Sequence, residues 1–135
     1  MKVTVEKVHT IKEEDFSNLL TTALEGGSNY WCLLPDLAAC REWNAKTGDG
    51  KRLPMVDMIH KYIWHGNGSV LIVDRNSEEY KPEHWVIDKS SVENGFKLFI
   101  EMYHDEWMEF KDGSYDADVA DVWFQLVVIG EVMFG

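Results

Sequence analysis

The chain has 135 residues, 45% of them hydrophobic and 13% aromatic with six tryptophans, and it carries a formal net charge of −11. That length suits one compact domain that buries about two thirds of its unfolded surface without disulfide or metal staples, and the composition excludes a disordered segment. The charge excludes broad nucleic-acid binding, because each phosphate contact needs a cation and the bulk field repels polyanions.

Lys2 to Val8 alternates Val3 and Val5 against Lys2, Thr4 and Glu6, which predicts a short half-buried strand. A helix is predicted from Asp15 to Glu25. Phe16, Leu19, Leu20, Ala23 and Leu24 form its apolar stripe, Glu13, Glu14 and Asp15 load its first turn, and Gly26-Gly27 ends it. Tyr30 to Leu34 suits a brief strand stopped by Pro35, and Asp36 to Trp43 a short helix capped by Asp36.

Asn44 to Pro54 holds the turn formers Thr47-Gly48-Asp49-Gly50 and reads as an exposed loop. Met55 to Trp64 is helical by spacing and ends before Gly66-Asn67-Gly68. Ser69 to Val73 is a buried strand, Asn76 to Pro82 a polar connection, and Trp85 to Ile87 a hairpin partner for the preceding strand. A longer helix is predicted from Ser91 to Trp107, with Asp112-Gly113 as the next turn.

The last predicted helix, Asp116 to Ile129, is apolar almost all the way round from Val122 to Ile129. Either it is a central core helix, or one face is covered by another subunit, which makes a homo-oligomer the expectation. The fold class is therefore α+β, a small antiparallel sheet packed with three to four helices in a single domain over residues 1–135.

No run approaches the roughly 18 uncharged apolar residues of a spanning helix, and the first residues lack an apolar signal core, so a cytoplasmic protein without membrane partners is expected. Cys32 and Cys40 lack the paired spacing of a metal site and read as reduced thiols.

No phosphate loop, nucleophile elbow or His-Glu-x-x-His pattern is present. Glu101-x-x-His104 with Asp105 puts three ligand types on one helical face, but a di-metal bundle needs that pattern twice. His60 and His65 are five apart, on different sides of a helix unless it has ended, and His65 suits a helix C-terminus. Neither catalytic residues, a metal nor a cofactor is expected.

What remains is binding. Asn29, Tyr30 and Trp31 leave the double glycine together and offer aromatic faces on which a base can stack, or else Tyr30 and Trp31 alternate across a strand, one in the core and one outside. Residues 41–75 form a mildly basic island of six cations against four anions. Lys51, Arg52 and Arg75 from it are the candidates for holding a phosphate. From Glu101 to Asp121 eight carboxylates face only Lys111, either a solvated face or a mimic of a nucleic-acid backbone.

Two blocks carry a resemblance. Ala23-Leu24-Glu25-Gly26-Gly27-Ser28-Asn29-Tyr30-Trp31 is the first. Asp116-Ala117-Asp118-Val119-Ala120-Asp121, through Gln125 to Gly130-Glu131-Val132-Met133-Phe134-Gly135, is the second. Together they resemble a family of small bacteriophage and prophage proteins that has no assigned reaction. In profile the chain is similar to phage proteins that sequester nucleotide-derived immune signals, such as cyclic oligonucleotides or cyclic ADP-ribose isomers. That similarity implies a non-enzymatic anti-defence protein with a small nucleotide-derived ligand. An acidic inhibitor of a host defence or nucleic-acid-binding enzyme is the alternative.

Overall fold

A computed structural model describes residues 1–48, 52–76 and 83–135. The fold is α+β. Strands β1 (Lys2–Val5) and β2 (Lys7–Thr10) form one antiparallel hairpin. A second antiparallel sheet has the order β3-β4-β5, from β3 (Cys32–Leu33), β4 (Val70–Asp74) and β5 (His84–Ile87), with Val70 opposite Ile87. The helices are α1 (Glu13–Thr22), α2 (Ala38–Thr47), α3 (Met55–Trp64), α4 (Lys89–Met102), α5 (His104–Asp112) and α6 (Ala117–Val128).

Several expectations shift. The strand expected over Lys2 to Val8 is split, because the chain reverses at Glu6, whose φ of 61° takes the left-handed conformation that glycine or asparagine usually supplies. The first helix starts at Glu13, where the Lys12 backbone N–H donates to the Asp15 carboxylate at 2.9 Å. It finishes as a π turn over Ala23–Gly27 rather than at a glycine cap. Helix α2 continues to Thr47 into the expected loop, since the Asn44 side chain donates to the carbonyls of Cys40 and Met58. Residues 49–51 of that loop, and 77–82 of the connection expected up to Pro82, lie outside the described residues.

The long helix expected from Ser91 to Trp107 is two helices. Asp88 caps α4 by accepting from the Ser91 N–H at 2.9 Å, and Tyr103, at φ −126° and ψ 51°, breaks the run before α5. Gly113 then ends α5 at φ 77°. Among the described residues the one expected sheet is two, and the expected three to four helices are six.

Helix α6 is the central element. Asp116 caps it through the Val119 N–H at 3.0 Å, and every residue from Val119 to Val128 is buried except the half-buried Val122. Helices α1 and α4, the π turn and β5 cover it within one chain, so its all-round apolarity is met without a second subunit. An aromatic spine runs through it. Phe16 and Phe96 flank Trp123 with ring centroids at 6.0 and 5.4 Å, while Phe124 lies 5.8 Å from Trp31.

Gly95 sets how closely α4 approaches this helix. A methyl group there would lie 2.7 Å from the Val127 Cα and 2.9 Å from its N, against backbone that cannot swing aside. Alanine gains about 1 kcal/mol of helix propensity over glycine, yet overpacking a core costs about 1–3 kcal/mol. Gly95→Ala is therefore expected to lower the urea midpoint, with the clash outweighing propensity. An unchanged or raised midpoint would mean the helices separate freely.

Candidate functional site

The two blocks that bracket the chain meet in space, and Asp121 joins them. Its carboxylate is buried, with 7% of the residue exposed, and it accepts four hydrogen bonds. Ser28 Oγ and Trp31 Nε1 donate to Oδ1, each at 2.7 Å, while Tyr30 Oη at 2.6 Å and Gln125 Nε2 at 3.0 Å donate to Oδ2. Gln125, one turn along α6, passes the link onward. Its Oε1 accepts from the N–H groups of Met133 and Phe134 at 2.8 Å each, and its Nε2 also donates to the Phe134 carbonyl at 3.1 Å.

All four donors to Asp121 are neutral, so hydrogen bonds alone replace the water this carboxylate loses. The network is a joint between the π turn, α6 and the final segment. It also fixes Tyr30. Burial, the bond to Asp121 and its negative charge all push the phenol well above its usual pKa, so the tyrosine stays protonated and keeps donating.

The structure separates the expected site residues. Trp31 is fully buried, stacked on Phe134 at 5.1 Å and 12° and edge-on to Trp85 at 6.1 Å. It is a core residue with no face for a base. Truncating a buried tryptophan costs about 3–5 kcal/mol, more than the roughly 1–3 kcal/mol one stacked base returns, so the ring stays where it is. Tyr30 is 46% exposed and stacks on no other ring among the described residues, and Asn29 beside it is exposed.

Arg75 joins this surface. Its Nε donates to the Asn29 carbonyl at 2.7 Å and its Nη2 to the Cys32 carbonyl at 3.4 Å, while its own N–H donates to Trp31 O. Among the described residues no carboxylate pairs with it. Next to it, Asn76 Nδ2 donates to the Tyr30 carbonyl at 3.3 Å. Arg52, exposed before α3, shares no hydrogen bond or ion pair with Asn29, Tyr30 or Arg75 among the described residues. Lys51 lies outside them.

The remaining candidates serve other ends. His65 follows α3, which ends at Trp64, so His60 and His65 both reach Glu13. Their Nε2 atoms stand 3.2 and 2.9 Å from its Oε1, tying α1 to α3. Cys32 and Cys40 are free and buried; burial pushes the Cys32 thiol up to about 11 and raises that of Cys40, so neither is a ready nucleophile. Among the described residues no group of three or more His, Cys, Asp or Glu side chains could hold a metal ion, and no helix is long and apolar enough to cross a membrane.

Sequence reasoning missed the roles of Asp121, Ser28 and Gln125, having read Asp121 as the end of the acidic run from Glu101. One signal was present. Asp121 and Gln125 lie four apart on a helix whose other positions there are apolar, and a buried polar pair must find partners. A concavity lies elsewhere, between the β1–β2 hairpin and α4. No family model matches the chain, and no match to it was found among curated proteins or solved structures.

Proposed function

We propose that this is a phage-type anti-defence protein that binds and sequesters a nucleotide-derived immune signal in the cytoplasm of an infected bacterium, without turning it over. The observation that carries this reading is that Arg75 donates to the Asn29 and Cys32 carbonyls, which flank Tyr30 along the chain. A phenol ring held by its hydroxyl offers a face to a base, and a guanidinium oriented by two backbone carbonyls keeps unpaired N–H groups for a phosphate. Both groups are positioned before any ligand arrives, which lowers the ordering cost of binding. The resemblance to phage proteins supplies the class of ligand, a cyclic oligonucleotide or a cyclic ADP-ribose isomer.

Native mass spectrometry against a panel of such nucleotides, with the bound material released by heat and identified, tests the reading and counts subunits at once. Ligand released unchanged supports sequestration, whereas an altered mass indicates an enzyme. Arg75→Glu is expected to weaken binding at least tenfold, since a hydrogen bond to a charged group is worth about 1.5–3 kcal/mol. Unchanged affinity in that variant would remove Arg75, and with it this site.

A second reading rests on the surface from α4 to α6, where Glu101, Asp105, Glu109, Asp112, Asp116 and Asp118 are all exposed. It makes the protein an acidic inhibitor of a host defence or nucleic-acid-binding enzyme. Binding of that kind weakens with salt. It fails when Asp105, Glu109 and Asp112 are neutralised, changes that leave a Tyr30 and Arg75 site intact.

A further inference from the structure

The cleft between the β1–β2 hairpin and the α4–α5 break has a volume of about 750 Å³, inside the roughly 300–1,000 Å³ typical of small-molecule sites. Ile100 and Val5 contribute apolar surface to it. Lys7 and His9 line it from the hairpin, Lys97 and Glu101 from α4, and His104 from the first position of α5. Glu6 stands at the hairpin tip and also lines it.

Two facts set this cleft apart from an ordinary charged surface. First, Lys97 lies four residues from both Glu93 and Glu101 on α4, spacings at which surface charges commonly pair. Among the described residues Lys7, Lys97, Glu6, Glu101 and His104 nevertheless make no ion pair. Their charges are left for something else. Second, Glu6 occupies a left-handed position that costs a non-glycine residue about 1 kcal/mol or more, where glycine would make the same turn without strain. The chain carries a carboxylate into the cleft at the expense of its own turn. His9 is held by the Val5 carbonyl at 3.3 Å and by an edge contact with Trp107.

We infer that this cleft is a second binding site, distinct from the Tyr30 surface, for a small organic phosphate that also carries hydroxyl groups. Lys7 and Lys97 offer cations, and His104 an N–H donor, to a phosphate. The carboxylates of Glu6 and Glu101 accept from hydroxyls and disfavour a bare anion.

Ribose 5-phosphate is the probe, because it has no base to stack on Tyr30. Isothermal titration with the full chain is expected to give saturable binding that inorganic phosphate does not reproduce. Lys97→Glu should abolish it, and Arg75→Glu should leave it unchanged. Glu6→Gly separates binding from folding: it should raise the melting temperature by relieving the turn, yet weaken ribose 5-phosphate binding about tenfold or more. The inference is overturned by no binding at millimolar probe, by equal binding of inorganic phosphate, by indifference to Lys97→Glu, or by loss in Arg75→Glu, which would move the ligand to the Tyr30 surface.

Discussion

Replacing Asp121 by asparagine, a change of one atom, is expected to cost about 3 kcal/mol of stability, a large share of the roughly 5–15 kcal/mol that holds a domain folded. The reason is the direction of the hydrogen bonds. If the new amide nitrogen takes the Oδ1 position, it faces Trp31 Nε1, which can only donate. If it takes the Oδ2 position, it faces Gln125 Nε2. Gln125 cannot turn over in response, because its Oε1 already accepts from the Met133 and Phe134 N–H groups and its Nε2 is bonded to Phe134 O. Either way two buried donors meet and one goes unpaired. Urea unfolding followed by tryptophan fluorescence measures the loss. Tyr30→Phe, which removes one donor and leaves three on the carboxylate, should cost clearly less. An asparagine variant within 1 kcal/mol of the parent, on the order of one ordinary hydrogen bond, would show that the network has slack.

The elements that periodicity placed well are those whose stabilisation is local. Helix α3 runs from Met55 to Trp64 as its spacing predicts, and the β4–β5 hairpin pairs as expected. The misplacements have non-local or unusual causes. Helix α2 outruns its prediction because Asn44, a turn former by composition, finds the Met58 carbonyl on another helix. The break at Tyr103 is invisible because the apolar stripe of α4 continues across it to Trp107, with no glycine or proline between. Glu6 hides a hairpin turn because a carboxylate stands where turn chemistry would put glycine. The candidate site was legible in part. The sequence picked out Tyr30 and Arg75 by residue type and neighbourhood. What it could not supply was Asp121, since the link from residue 121 back to residues 28, 30 and 31 exists only once the chain has folded.

The double glycine carries the same lesson in two adjacent residues that no sequence pattern distinguishes. Both lie in the π turn, and neither has a positive φ. Gly26 is exposed, and a methyl group there would meet nothing within 4 Å. Gly26→Ala is therefore expected to stabilise the protein by about 0.5–1 kcal/mol, chiefly by restricting the unfolded chain. Gly27 is buried, and a methyl group there would lie 2.5 Å from the Ala117 carbonyl oxygen and 3.5 Å from the Asp121 N. Those atoms are the backbone of α6 and cannot rotate away, so Gly27→Ala must push the turn off the helix. That displacement carries Ser28, Tyr30 and Trp31 away from Asp121. The expected loss is about 2–3 kcal/mol or more, overpacking with weakened hydrogen bonds added to it. The two variants thus move the urea midpoint in opposite directions, and ligand binding at Tyr30 should survive the first and fall in the second. If Gly27→Ala were as stable as Gly26→Ala, the close approach of turn and helix would not be what holds the two blocks together.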